Sequence, residues 1–466
     1  MKFWSAKYVF NFHLMEWKVD ELKSKKIITK VLIDYEYEYE EDYLEFDFEH
    51  NGPIILQFML MPKQLLANFS DQSIFFRNAD PLVINFLKQK NFFDFFAQFL
   101  TTLETIPEKC ATLKIIDNLC QISSDQIILE LFDHGCYLFL KKEMFTECSE
   151  ERYMVLQCLI RFSMVSDVKK LMFILSFLTD IYSVIFGSKD EITIQYTGEI
   201  IANILSDDIE NEDFTILRSI GLKLLDYEVS FKSACRVLCS FSMYEKMEDP
   251  EFSKPEIAEK LVHCLSVVLT YEDNSILYLM KFFTVRSNFI KEATAFYNAT
   301  IFEVLAHILS LNNDTKTKWV GYIFDNIIKN VPNSTIQFLN SELVGIYISF
   351  AINSSYIVKE TSLIVLSKVV RNCVNFGFNK TQFEPFYPVI EIGLGMLDSN
   401  ERVLFCILDL IIAIISLDGI PEPLIEYFCD VNTCESLNNL TNHSVERIRD
   451  MAFQILRMIQ ELTPET

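Results

Sequence analysis

A pattern of short apolar helices with a period of about 42 residues is the feature that most restricts how this chain can fold. In each copy, two apolar residues and two variable ones precede a Leu, Ile or Val. The equivalent positions are Leu119, Leu159, Ile204, Leu238, Ile327, Val369 and Ile411. Most steps between them fall between 34 and 45 residues, and the longer step from Leu238 to Ile327 equals two repeats. Units of this kind cannot bury their apolar faces alone, so the period predicts a stacked array.

The units are predicted to be helical. From about residue 80 onward, apolar residues recur three and four apart in segments separated by polar residues, as at Asn312-Asn-Asp-Thr and Asp398-Ser-Asn. Among 466 residues there are 11 Gly and 12 Pro, which leaves little material for the tight turns of sheet folds. The sequence therefore predicts an all-α solenoid.

The stretch from residue 110 to 145 resembles the last helix of one armadillo repeat followed by the first two helices of the next. Asn118 stands where that family often has an Asn, and Asp133-His134-Gly135 matches its short turn. Tetratricopeptide and ankyrin repeats have shorter periods. The resemblance extends, with decreasing clarity, over residues 55–466, and its nearest branches are importin-alpha and beta-catenin. It implies an all-α, right-handed α-α superhelical solenoid of about nine to ten armadillo-like repeats, which we assign to residues 53–466.

Residues 1–52 lack the repeat pattern and form a separate segment in this prediction. A Lys-rich piece, 18–30, precedes the acidic and aromatic run 34–50. Near-alternation of acidic and aromatic residues is typical of a strand and also of disordered interaction segments. The segment could cap the open end of the solenoid or act as an arm. A basic arm resembles the importin-binding arm of importin-alpha, although the Lys cluster contains no Arg.

The charge balance bears on the partners. The formal net charge is -24, from 65 acidic and 41 basic side chains, so nucleic acid and anionic membrane surfaces are disfavoured as direct partners. The partner is predicted to be a protein or peptide, and this charge favours a basic or neutral segment.

Cysteine placement and apolar runs bear on the cellular compartment. Cys158, Cys235, Cys239 and Cys406 lie in apolar helical runs without a CxxC pair, which is typical of buried thiols in a reducing compartment. The N-terminus shows no secretory signal. The most apolar windows, 171–186 and 403–417, are shorter than a bilayer requires, which predicts buried helices and no membrane insertion. The expected location is the cytoplasm, with the nucleus as an alternative.

The sequence contains no pattern associated with catalysis. Gly-rich phosphate loops, nucleophile elbows and the common metal motifs are missing from it. His134 with Cys136, and His263 with Cys264, lack a second pair to complete a tetrahedral metal site. We therefore predict a non-enzymatic protein with no catalytic residues, cofactor, metal or small-molecule substrate.

Three asparagines are the candidate binding residues, because Asn118, Asn203 and Asn326 each precede a repeat anchor. Mid-helix Asn is unfavourable, so its recurrence needs an explanation. The resemblance implies that these amides line a concave groove and bond to the main chain of an extended peptide. The alternative is that they bond to neighbouring repeats or face water.

Positions four residues earlier complete the predicted groove. Importin-alpha carries Trp there, whereas this chain has Lys114, Glu199 and Tyr322, with Trp319 nearby at a different spacing. The favoured function is a protein-binding scaffold that takes an extended peptide or partner helix in its groove. A divergent importin-alpha-like nuclear import adaptor and a HEAT- or armadillo-type subunit of a larger complex are the alternatives.

Overall fold

The computed structural model describes residues 47–462 apart from 78, 80, 123, 175–176, 206–213, 245–246, 272, 312, 379 and 417–421. Within these described ranges the chain is helical and contains no strand. The all-α prediction is confirmed. The predicted Lys-rich piece and most of the acidic-aromatic run, up to residue 46, lie outside the described residues. Helix α1 (Phe48–Leu60) crosses the predicted boundary between residues 52 and 53.

One helix of each repeat packs against its equivalents before and after it in the chain, and we call these the H3 helices. Among the described residues they are α2 (Pro62–Gln72), α5 (Ile106–Leu119), α8 (Ser149–Met164), α11 (Glu191–Ile204), α13 (Phe231–Tyr244), α15 (Ser275–Arg286), α18 (Asp314–Asn330), α21 (Tyr356–Asn375), α23 (Glu401–Ile415) and α26 (Glu446–Leu462). Each step along this series is a direct helix–helix contact, so the H3 helices form one continuous stack.

The other helices lie on the outer side of this stack. They are α1, α3 (Leu82–Gln89), α4 (Phe92–Leu100), α6 (Asp125–Asp133), α7 (Cys136–Glu143), α9 (Ser166–Ile174), α10 (Phe177–Gly187), α12 (Phe214–Leu224), α14 (Pro255–Val268), α16 (Ile290–Asn298), α17 (Ile301–Leu309), α19 (Ser334–Asn340), α20 (Leu343–Asn353), α22 (Tyr387–Leu394), α24 (Glu422–Cys429) and α25 (Val431–Leu440). Short 3-10 turns occupy Ser73–Phe76, Glu228–Ser230, Pro250–Ser253 and Lys380–Phe386.

The repeat anchors predicted from the sequence all lie in the core of the stack. All seven are on H3 helices, and none is more than 3% exposed. The double step between Leu238 and Ile327 contains α15, whose Met280 and Phe283 are fully buried. The prediction that this step holds two repeats is confirmed.

Polar residues cap the start of several H3 helices, as the breaks in the sequence predict. The Asn313 side chain accepts a hydrogen bond from the backbone N–H of Lys316, and Asn400 does the same for Val403. Thr105 and Glu108 form a reciprocal capping box at the start of α5. Each cap satisfies backbone donors that have no partner inside the helix.

The predicted Asp133-His134-Gly135 turn joins α6 to α7, and Gly135 has a φ of +85°. Asn91 and Thr300 adopt the same left-handed conformation where α3 meets α4 and where α16 meets α17. The turn geometry therefore persists in repeats whose sequences have lost the glycine. Only the residue that occupies the left-handed position changes.

A buried ion pair fixes the irregular repeat around α15. Arg286 and Glu292 are both fully buried, and the Arg286 Nε donates to Glu292 Oε2 at 2.7 Å. Glu292 also accepts from the backbone N–H of Asp249 at 2.8 Å, and Arg286 donates to the carbonyl oxygen of Met247 at 3.1 Å. These bonds tie the segment around Asp249 to α15 and α16, so they help to set the position of α15 in the stack.

Candidate binding surface

The side of the H3 helices that faces away from the core forms a continuous surface. On α13, for example, Lys232, Arg236 and Ser240 lie four apart and are at least partly exposed, while the residues between them are buried. Because the helices stack side by side, each contributes one such row. We call the resulting surface the strip and define it by Asp71, Lys114, Asp117, Gln157, Arg161, Glu199, Lys232, Arg236, Tyr278, Lys281, Trp319, Tyr322, Asp325, Lys368, Arg371 and Arg402.

Contacts between successive helices connect the first part of the strip. The Nζ of Lys114 lies 2.7 Å from a carboxylate oxygen of Asp71 on α2. Three residues further along α5, Asp117 faces Arg161 of α8, with 3.9 Å between the Nε and the carboxylate oxygen. The predicted residue Lys114 thus lies on the strip, and its charge is balanced by a neighbouring repeat.

The structure corrects the prediction that the three asparagines face a ligand. Asn118 is fully buried: its Nδ2 donates to Ser73 Oγ at 2.7 Å and its Oδ1 accepts from Arg77 Nε at 2.8 Å. Asn326 is 6% exposed, and its Nδ2 donates to the Thr284 carbonyl oxygen at 2.8 Å. A buried amide that is already bonded to the protein cannot also bond to a peptide main chain.

Asn203 is more accessible but is bonded in the same way. Its Nδ2 donates to Ser163 Oγ at 3.1 Å on the preceding H3 helix, and its Oδ1 accepts from Arg236 at 3.0 Å on the next. The alternative that the sequence left open, bonding to neighbouring repeats, therefore describes all three asparagines. They act as connections between repeats.

Two further asparagines, not identified from the sequence, belong to this set. The Nδ2 of Asn330 donates to the Ser287 carbonyl oxygen at 2.8 Å. The Nδ2 of Asn372 donates to the carbonyl oxygen of Ile328 at 3.1 Å and to Thr335 Oγ1 at 2.9 Å. Asn330 and Asn372 lie one repeat apart near the C-terminal ends of α18 and α21, and that spacing is the signal available in the sequence.

Glu199, the second predicted residue, faces a basic cluster at the centre of the strip. Burial raises the pKa of the Glu199 carboxyl, and the positive charges of Arg236, Arg161 and Lys232 oppose that rise. Burial lowers the pKa of the Arg236 guanidinium, and Tyr278 and Glu199 oppose that fall. Glu199 on α11 is therefore within electrostatic range of basic side chains on both neighbouring H3 helices, α8 and α13.

Aromatic rings and cations alternate from α15 to α18. The Nζ of Lys281 lies 5.9 Å from the ring centroid of Tyr278 and 5.8 Å from that of Trp319. Trp319 meets Tyr322, the third predicted residue, edge to face at 5.8 Å. Cations over aromatic faces are attracted by the ring quadrupole, so these side chains are held in a defined arrangement on the surface.

Arg402 bridges over α21 to complete this part of the strip. Its guanidinium carbon lies 4.4 Å from the Tyr322 ring centroid, and its Nη2 lies 3.3 Å from Asp325 Oδ2. Arg402 is on α23, whereas Tyr322 and Asp325 are on α18, so the contact skips one H3 helix. Ile364 of the intervening α21 is 3% exposed. Side chains from helices two positions apart meet most readily on the inner side of a curved stack, which indicates that the strip faces inward.

In the described part of the chain, no group of three or more His, Cys, Asp or Glu side chains is placed to hold a metal ion. Cys158, Cys235, Cys239 and Cys406 are buried free thiols, as predicted. Burial raises the pKa of Cys239 and of Cys406 to about 11. These thiols are therefore poor nucleophiles at neutral pH.

Among the residues that the structure describes, no single helix is long and apolar enough to cross a membrane. The pair α19 and α20 passes on length and composition together, but it is bent by 76°. The two apolar windows noted in the sequence correspond to parts of α9, α10 and α23, and α23 is buried on most of its surface.

Comparison with known proteins shows the fold. No known protein family and no curated protein sequence matches this chain. An engineered protein aligns with 88% of the chain and 98% of its own length, with a TM-score of 0.63 and 14% identity. The chain is also similar to a structure described as showing a conserved phosphorylation switch that controls the interaction between cadherin and beta-catenin. That alignment covers 85% of this chain and 81% of the other chain, with a TM-score of 0.66 and 12% identity. The chain has an armadillo-type repeat fold.

Proposed function

We propose that this protein is a non-enzymatic interaction scaffold that binds an extended peptide or a partner helix along the strip. The observation that carries the proposal is the continuity of the strip: side chains of successive H3 helices from α2 to α18 contact or face one another, and Arg402 extends the row to α23. The strip offers aromatic rings and charged groups in one row. Such a surface suits a ligand that runs across many repeats.

The dimensions suit an extended chain. Packed helices lie about 8–10 Å apart, and an extended peptide advances about 3.3 Å per residue. A bound peptide would therefore pass about three residues over each H3 helix. Since Asn118 and Asn326 are committed to neighbouring repeats, its recognition would rest on side chains such as Tyr278 and Trp319.

These contacts support a nuclear import adaptor similar to importin-alpha less well than they support the proposed scaffold. That alternative rested on asparagines free to bond a peptide and on an acidic surface for a basic cargo. Asn118, Asn203 and Asn326 are bonded within the stack, and the middle of the strip is rich in Lys and Arg. The expectation of a basic partner came from the net charge of the whole chain and is not part of this proposal.

Cellular location is proposed on the state of the thiols. The described cysteines are free and mostly buried, which is typical of a reducing compartment. We therefore propose that the protein is cytoplasmic, with the nucleus as an alternative location. Fluorescence microscopy of the tagged full chain tests this directly.

Affinity purification with mass spectrometry tests the proposed function. The strip variant carries Tyr278→Ala and Trp319→Ala; the matched control carries Leu138→Ala and Ile290→Ala on outer helices, where the two side chains are 58% and 63% exposed. Circular dichroism establishes that each variant is folded. Partners should be lost from the strip variant and kept by the control. The opposite pattern would favour a subunit of a larger complex that binds through its outer helices.

A further inference from the structure

We propose that the segment bound by the strip is acidic, and that Lys281 anchors one of its carboxylates. This inference rests on the proposed function and specifies the chemistry of the partner. Lys281 lies between the rings of Tyr278 and Trp319, which belong to adjacent repeats, and no carboxylate of the described residues forms an ion pair with it. Its positive charge is therefore presented on the strip without a neutralising partner.

The helices around Lys281 give this part of the strip a positive charge. The charged strip residues on α13, α15, α18 and α21 are five Lys or Arg and one Asp, in a chain whose formal net charge is -24. The five are Lys232, Arg236, Lys281, Lys368 and Arg371, and the Asp is Asp325. A positive sector on an otherwise negative molecule is the opposite of the global charge pattern, so it needs a local explanation.

The nearby contacts neutralise this sector only in part. The guanidinium of Arg236 donates to the neutral amide oxygen of Asn203 at 3.0 Å. Lys232 pairs with Asp273 at 2.7 Å, yet its side chain is 55% exposed. Positive groups held close together repel one another, and an acidic ligand would relieve that repulsion while a basic one would increase it.

The aromatic rings determine which acidic ligand fits. Tyr278 and Trp319 flank the ammonium group, so a ligand that reaches Lys281 also covers two half-buried rings. A segment in which Asp or Glu alternates with apolar or aromatic residues can use both features, because successive side chains of an extended chain point in opposite directions. We commit to an Asp- and Glu-rich segment of another protein as the occupant.

Fluorescence anisotropy with three labelled peptides tests this inference on the full chain. The peptides have 12 residues, about four repeats in length, and share the same Tyr and Leu positions; the remaining positions are Glu, Gln or Lys. The Glu peptide should bind most tightly, and its affinity should fall as salt is raised because the attraction is screened. Lys281→Glu should weaken binding of the Glu peptide by about tenfold or more, and Lys281→Gln by less.

Lys142→Glu is the matched control, because this substitution makes the same change of charge on the outer helix α7. The Lys142 side chain is 80% exposed. It should alter the affinity by less than about twofold. If the Gln or Lys peptide binds as tightly as the Glu peptide, the partner is not selected for acidity and the inference is wrong, while the scaffold proposal stands. Failure of the Glu peptide to bind at all also overturns the inference. The scaffold proposal itself is decided by the purification experiment, in which no charge is changed.

Discussion

The side-chain amide of Asn326 donates to the main-chain carbonyl oxygen of Thr284, 2.8 Å away in the last turn of the preceding H3 helix. Carbonyl groups in the last turn of a helix have no partner inside that helix. Asn330 and Asn372 make the same kind of bond to Ser287 and Ile328. One H3 helix therefore caps the end of the previous one, which explains why asparagine recurs in an otherwise apolar part of the repeat.

Replacement of Asn326 by Ala should lower stability. The change removes two buried hydrogen bonds, to the Thr284 carbonyl oxygen at 2.8 Å and to Ser287 Oγ at 3.2 Å. Such a loss typically costs about 1–3 kcal/mol. The urea midpoint, followed by circular dichroism, should fall accordingly, while Asn439→Ala on the exposed side of α25 should shift it very little. Equal midpoints for the two variants would mean that the Asn326 bonds contribute nothing net.

The sequence predicted the fold more fully than the site, for a physical reason. Anchors such as Leu159 and Val369 act through a period that is visible along the chain, and burial alone decides their role. The role of Asn118 depends on Ser73 and Arg77, more than 40 residues earlier, and nothing in the local sequence distinguishes an amide bonded across repeats from one that faces a ligand.

The charge of the site could not be predicted from the sequence for a related reason. Net charge sums the whole chain, whereas the strip samples one side of selected helices. The roles of Lys281 and Arg402 depend on aromatic rings that they contact in other repeats, Trp319 and Tyr322 respectively. The spacing of Trp319 differs from that of the importin-alpha Trp residues, and its position beside Lys281 does not follow from the sequence.

Glu199 should make stability depend on pH. Burial raises its pKa above the ordinary value of 4.5, so the folded chain holds this proton more tightly than the unfolded chain. The contribution of Glu199 to stability therefore falls as pH rises from about 4.5 through the raised pKa. Because Glu199→Gln cannot titrate, the stability of this variant minus that of the wild type should increase across the same window and then level off. Urea midpoints at a series of pH values measure the difference, and a constant difference would show that burial does not perturb this carboxyl.

The bridge from Arg402 to Tyr322 should be measurable as an energetic coupling between residues 80 positions apart. Their contact at 4.4 Å is a cation–π pair on a partly exposed surface, for which about 0.5–2 kcal/mol is typical. A double-mutant cycle with Arg402→Gln, Tyr322→Leu and the double variant isolates this value from the bond between Arg402 and Asp325. A coupling indistinguishable from zero would mean that the two side chains do not form a stable bridge over α21.

Gly321 on α18 should tolerate no side chain unless its neighbour is reduced in size. A Cβ placed there would overlap the Cγ2 of Thr361, where α21 crosses α18 beneath the Arg402 bridge. Overpacking of this kind typically costs about 1–3 kcal/mol, so Gly321→Ala should lower the urea midpoint. Thr361→Ser removes the Cγ2 but keeps the hydroxyl, which donates to the Ile357 carbonyl oxygen at 2.9 Å. The Gly321→Ala and Thr361→Ser double variant should therefore recover most of the loss.

Gly345→Ala serves as the control, because a Cβ on that helical residue meets no atom within 4 Å, and Ala should stabilise the helix by up to about 1 kcal/mol. If Thr361→Ser gives no recovery, the close approach of α18 and α21 is not what excludes a side chain at Gly321.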